Sequence, residues 1–217
     1  MISLGLHGGG DAFRRLLLIG AHADDIEIGC GGTLLRLIQE CPRLEVCWVV
    51  LSGGDERASE AEVSAQAFLH DVEQREIVLR RFRDGFFPYC GGEIKDFFEE
   101  LKTGFAPDIV FTHRREDLHQ DHRTVAELTW NTFRSHLILE YEIPKYEGDL
   151  GAPNVFVELS EEICQRKVAG LLDGFPSQRG KRWFTEDLFL SLLRLRGMES
   201  GSAGRFAEAF HCRKILL

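Results

Sequence analysis

Two short stretches carry residues able to do chemistry together. The first, His22-Ala23-Asp24-Asp25-Ile26-Glu27, follows the apolar run Leu16-Leu17-Leu18-Ile19 and leads into Gly29-Cys30-Gly31-Gly32-Thr33. The second, His119-Gln120-Asp121-His122-Arg123, follows Ile109-Val110-Phe111-Thr112-His113 through a charged loop. His22 and Asp25 stand three apart across a turn, so both can point at one ion, and His122 can close the set. Three protein ligands with a fourth position left to water is how catalytic zinc is held. Asp24, beside the ligands but not among them, is the candidate general base, because a bound ion lowers the pKa of its water to about 7. His119 is the candidate donor to the oxyanion of a tetrahedral intermediate. Glu27 and Asp121 read as groups behind the ligands, orienting a ligand imidazole or its neighbouring backbone. Either motif alone is weak, since Asp after a strand often caps a helix and a loop His is commonly just solvated. Together they supply ligands, base and oxyanion donor.

The elements that must hold these residues follow from the apolar pattern. A continuous apolar run reads as a strand buried on both faces, and the glycines and Thr33 after the first motif can open a helix. Strands are predicted at about 14–20, 44–51, 77–82, 109–113, 137–143, 154–158 and 206–212. Helices are predicted at about 31–40, from the loop 52–57 to about 71, and at 93–103, 121–135, 160–173 and 185–196. Helix 93–103 has Ile94, Phe97, Phe98 and Leu101 at core spacing. Strand alternating with helix predicts an α/β fold, a Rossmann-like, mostly parallel β-sheet flanked by helices, with right-handed crossovers. The metal site then lies at the carboxyl edge of the strands, where ligands bind in open α/β sheets. The stretch 144–153 is long enough to rim such a site, and its Lys145 and Tyr146 are candidates for phosphate pairing or sugar stacking, or for plain packing.

The segment His22 to Glu27 with Gly31-Gly32-Thr33, and the later His119-Gln120-Asp121-His122, resemble the two signature motifs of the LmbE/PIG-L family of zinc-dependent N-deacetylases. The spacing of elements from about 14 to 135 is similar to that family's core, and Ala207-Glu208-Ala209-Phe210 resembles one of its late strands. The resemblance implies His22, Asp25 and His122 as zinc ligands, Asp24 as base and His119 as electrostatic helper. It further implies an N-acetylated amino sugar as substrate, an N-acetylglucosamine-type glycoside, glycolipid or conjugate. Arg57-Ala58-Ser59-Glu60 resembles the family's Arg-x-x-Glu, whose Arg faces substrate, and Asp84 resembles an aspartate that binds sugar hydroxyls. Ala23 and Gln120 stand where Pro is common, which loosens a φ restraint without removing a ligand. Two other readings stay open: amide cleavage of a thiol-sugar conjugate at the same site, and sugar binding without turnover. Retention of Asp24 and His119 counts against the second. Histidine and carboxylate also suit Fe2+, cobalt and nickel.

The 217 residues fit one domain over 1–217, with a short flexible N-terminus to about residue 13. A net charge of -9 argues against a nucleic-acid surface, and the clusters Arg80-Arg81 and Arg179, Lys181, Arg182 read as solvated faces. Six cysteines without a Cys-x-x-Cys pair point to a reducing cytosol, with Cys30 in a packing role. The N-terminal residues lack the apolar core of a signal peptide, and no stretch approaches the ~20 apolar residues of a membrane span. A cytoplasmic, soluble protein is expected, with oligomeric state left open, a homo-oligomer included.

Overall fold

The computed structural model describes residues 13–201 and 203–216, so most of the N-terminal stretch expected to be flexible lies outside the described residues. Strands β1 (Arg15–Gly20), β2 (Glu45–Val50), β3 (Gln74–Leu79), β4 (Ile109–His113), β5 (Leu137–Tyr141), β6 (Val155–Leu159) and β7 (Phe206–His211) form one sheet in the order β3-β2-β1-β4-β5-β7-β6. The first five pair in parallel, and β7 runs antiparallel to both β5 and β6. Between and after the strands lie α1 (Asp25–Glu40), α2 (Asp55–Phe68), α3 (Gly91–Gly104), α4 (Gln120–Thr132), α5 (Glu161–Gly174) and α6 (Glu186–Ser200).

Each central strand is apolar throughout because it feeds two cores. Leu16 and Leu18 of β1 join Val46, Trp48 and Phe111 in the layer under α1, α2, α5 and α6. Leu17 and Ile19 turn the other way, with Cys47, Val49 and Val110, onto Ile94, Phe98 and Val125 of α3 and α4. This is the two-residue alternation of a strand covered on both faces.

Helix α1 begins six residues before the predicted start, because its glycines are close-packing positions inside the helix and not a loop. A Cβ at Gly29 would fall within the ring of Tyr141, and one at Gly32 would meet Leu159 and Glu208. Glu208 of β7 is built into the same helix: it accepts the N–H groups of Gly32 (2.8 Å) and Thr33 (2.6 Å). Lys167 of α5 donates to Glu208 (2.6 Å) and to the Ile28 carbonyl (2.7 Å).

Two further boundaries differ. Strand β3 covers Gln74–Leu79 rather than 77–82, since at the sheet edge its polar first half needs no core and pairs through backbone alone. Helix α2 starts at Asp55, which puts Arg57 in a first helical turn instead of a loop.

Candidate active site

Strands β1 and β4 are neighbours, but the chain leaves β1 toward β2 on one side while β4 lies on the other, so the strand order reverses between them. Such a switch point opens a crevice at the carboxyl ends of the strands. Both histidine motifs begin there.

His22 Nδ1 lies 3.1 Å from His122 Nε2 and 3.4 Å from Asp25 Oδ2. His122 Nε2 lies 3.6 Å from Asp25 Oδ1. Ligands about 2.0–2.1 Å from a tetrahedral zinc are about 3.3 Å from one another, and these separations are close to that, with the two histidines facing different oxygens of Asp25. Asp25 is buried and also accepts the backbone N–H of His22 at 2.6 Å, which fixes its carboxylate against the turn. The other nitrogens of the two histidines face carboxylates. His22 Nε2 is 3.1 Å from Asp84 and 3.3 Å from Asp121, and His122 Nδ1 is 2.9 Å from Asp117. Each imidazole is thereby held with a lone pair turned inward, as a ligand requires. Burial, helped by the nearby His113, pushes His122 down to about 4, so it is neutral. Burial also opposes charge on His22, but hydrogen bonds to Asp121, Asp25 and Asp84 outweigh it and raise that group well above 6.5. His119 extends the donor set, its ring 5.0 Å from that of His22 and 4.5 Å from that of His122.

Asp24 stands at the N-cap position of α1, but its side chain does not cap the helix. One oxygen, Oδ1, pairs with Arg57 Nη2 at 2.9 Å; the other, Oδ2, is buried without a hydrogen-bond partner among the described residues. Burial raises the Asp24 pKa despite Arg57. Arg57 is itself gripped by Glu60 at 3.3 Å and lies over the Phe175 ring, so its position is set by α2 and by α5's end. His119 caps α4, with Nδ1 accepting from the Asp121 N–H at 3.3 Å. That leaves its proton on Nε2, as a donor.

Asp121 is fully buried; besides facing His22 it accepts from the N–H groups of Gly85 (2.7 Å) and Phe87 (3.1 Å), latching the loop after β3 to the site. Gly85, with φ at +76°, makes the turn that brings both N–H groups round. Asp84, on the same loop, remains three-quarters exposed while touching His22. Glu27 sits elsewhere than expected: it meets no ligand imidazole and accepts from Ser64 Oγ of α2 at 2.5 Å, because its helical position turns it toward α2. Burial pushes its pKa up to about 8.

The structure adds two residues to which the sequence had assigned no place here, His113 and Asp117, and turns Lys145 from the rim to the interior. His113, the last residue of β4, is wholly buried; its ring stacks on His122 at 3.9 Å, and its Nε2 accepts from the Ala21 N–H at 2.9 Å and faces Asp25 at 3.1 Å. Asp117 backs His122, and hydrogen bonds from His122 and Lys145 hold its carboxyl well below the usual range against the pull of burial. Lys145 turns inward to Asp117 and Asp149, while Tyr146 is exposed. A histidine closing a wholly apolar strand at the functional edge was the one signal in reach. Cys30 is a free, buried cysteine.

Residues 17–133 match the family model described as "PIG-L: GlcNAc-PI de-N-acetylase". The chain is 31% identical over 168 residues to the uncharacterized deacetylase YaiS of Escherichia coli strain K12, covering 73% of this chain and 89% of that one. Among solved structures, N,N'-diacetylchitobiose deacetylase from Pyrococcus horikoshii superposes with a TM-score of 0.70 at 20% identity, over 93% of this chain and 84% of the other. The 4-carboxy-2-hydroxymuconate hydratase GalB of Pseudomonas putida KT2440 superposes with a TM-score of 0.71 at 15% identity, over 94% of this chain and 98% of the other. At these identities the likeness is one of fold, and a fold that hosts both reactions leaves the chemistry to the site.

Proposed function

The chain belongs to the PIG-L family of de-N-acetylases, and from that premise we propose that it is a zinc-dependent hydrolase removing the acetyl group from an N-acetylated amino sugar. The observation that carries this reading is the convergence of His22 Nδ1, His122 Nε2 and the Asp25 carboxylate beside the partnerless oxygen of Asp24. The sugar is supported by the family's description and by the name of the chitobiose deacetylase.

His22, Asp25 and His122 would hold the ion. When bound, it supplies Lewis-acid charge that polarises the amide carbonyl and acidifies a water. Asp24 accepts the water's proton at Oδ2 while Arg57 fixes Oδ1, and burial favours the protonated form. His119 donates from Nε2 to the carbonyl oxygen as negative charge builds there. Asp24 then gives its proton to the leaving nitrogen, so the C–N bond breaks to acetate and a free amine. Asp84, exposed on the rim, is the group placed to meet a sugar hydroxyl.

Elemental analysis of purified protein, paired with acetate release from N-acetylglucosamine derivatives, tests this. About one zinc per chain with acetate release that a chelator stops is the expected result. Release of a larger acid would move the substrate to a thiol-sugar amide, and bound iron would change the ion while keeping the site. Metal without acetate release would move the search to other amides, and a protein that takes up no metal would put sugar binding without turnover in the lead.

A further inference from the structure

Lys145 was a candidate for contact with a substrate phosphate or sugar, and its geometry leaves it no free hand. An ammonium group has three donors. Here they go to Asp117 Oδ2 (2.8 Å), Asp149 Oδ1 (2.7 Å) and the Ile143 carbonyl (3.2 Å). Both carboxylates are almost wholly buried, at 3% and 8% side-chain exposure, and Lys145 itself is 12% exposed.

What the two carboxylates hold gives the lysine its meaning. Asp117 Oδ2 also takes the His122 Nδ1 contact at 2.9 Å, and Asp117 Oδ1 accepts the His119 N–H at 2.8 Å. One carboxylate therefore sets both a proposed ligand and the proposed oxyanion donor. Asp149 Oδ2 accepts the Leu118 N–H at 2.6 Å, and its carbonyl accepts from Arg114 Nη1 at 3.0 Å. The loop after β5 is thus stitched to the loop after β4 on both sides of Asp117, with the Lys145 ammonium between the two acids.

We propose that Lys145 is a positioning residue of the metal centre, holding Asp117 against His122 and coupling the loop 143–151 to metal binding. The inference rests on His122 being a ligand. Without the ammonium, two buried carboxylates face each other unpaired, and relief comes from turning one outward. If Asp117 turns, His122 loses the partner that aims its lone pair. If Asp149 turns, the loop comes free. Coupling of this kind is reciprocal: metal bound at His122 steadies the loop, as the loop steadies His122.

Zinc affinity by competition with a chromophoric chelator, and amide hydrogen exchange of the loop with and without zinc, decide the matter on the full chain. In Lys145→Met, with unfolding of the metal-free protein as the control for folding, zinc should dissociate about 10–100-fold more readily. Lys145→Arg, which keeps the charge, should recover most of that loss. In the unaltered protein, zinc should slow exchange in 143–151 several-fold, and in Lys145→Met it should not. Equal zinc affinity in Lys145→Met and the unaltered protein overturns the proposal. So does loop exchange indifferent to zinc in the unaltered protein, a result that stands even if the variant fails to fold. An unaltered protein that takes up neither zinc, iron nor cobalt overturns the metal reading, and this inference with it.

Discussion

Arg57 Nη2 sits 2.9 Å from one carboxylate oxygen of Asp24, while the second oxygen is buried without a partner. The arginine thereby sorts the two oxygens into one that is held and one that is left to exchange a proton. Removing it by Arg57→Ala should act on turnover: kcat falls about 100-fold with KM changed little, within the range of general-base effects. A rise in KM at unchanged kcat would return Arg57 to a substrate contact.

Asp24→Asn keeps the shape of the side chain and removes its basicity. Acetate release should drop about 10²–10⁴-fold while zinc content stays the same. Loss of zinc instead would make Asp24 a ligand.

His119→Ala removes a donor aimed at developing charge, so kcat should fall about 10²–10³-fold with zinc stoichiometry intact. The change also removes the Nδ1 cap on the Asp121 N–H, while Asp117 still accepts the His119 N–H, so unfolding of the metal-free variant is the control for the helix start.

Metal removal should be visible without any substrate. An ion that binds only the folded chain stabilises it by about 2.7 kcal/mol at 100 times its Kd. For a chain of this length that is roughly 5–10 °C in Tm, read by thermal unfolding before and after chelation. An unchanged Tm would argue that the site binds no ion under those conditions.

Acid sensitivity should centre on Glu142, which Arg196 grips with two hydrogen bonds of 2.9 and 2.7 Å inside the fold. Burial works to raise its pKa, but His211, 3.9 Å away, and the hydrogen bonds from Arg196 win and lower it below 4.5. A carboxyl lowered in the folded state contributes stability above its unfolded pKa and loses it as pH falls below that value. Glu142→Gln should therefore be less stable than the unaltered protein at pH 7, with the gap closing toward pH 3 in urea titrations. Arg196→Met, which strands the buried carboxylate, should cost about 3–5 kcal/mol at pH 7.

The central parallel strands and their covering helices were legible because β1, β2 and β4 are buried on both faces and each motif follows one of them, whereas the polar start of edge strand β3 was missed. The start of α1 was not, because Gly29 and Gly32 have the appearance of a loop until Tyr141 and Glu208 are packed against them. The candidate ligands could be named from spacing alone, since His22 and Asp25 share one turn. Asp117 could not. It lies in a charged stretch that reads as solvated, and it acquires its place only when Lys145, 28 residues later, folds back onto it. Glu27 was misplaced for the same reason in reverse: nearness in sequence suggested a ligand's neighbour, while helix geometry turned it to Ser64 on α2.

The strand that completes the sheet comes last among those described, yet it lies between β5 and β6 and not at an edge. Its Glu208 reaches back 176 residues to Gly32, in the helix that bears Asp25. During synthesis, then, β1 and both histidine motifs emerge long before the residue that clamps their helix. Until β7 arrives, β5 and β6 present open backbone edges to whatever is near. Entry of this one late strand is therefore expected to be slow and sensitive to concentration, and a chain interrupted before it would carry Asp25 on a helix not yet fastened down.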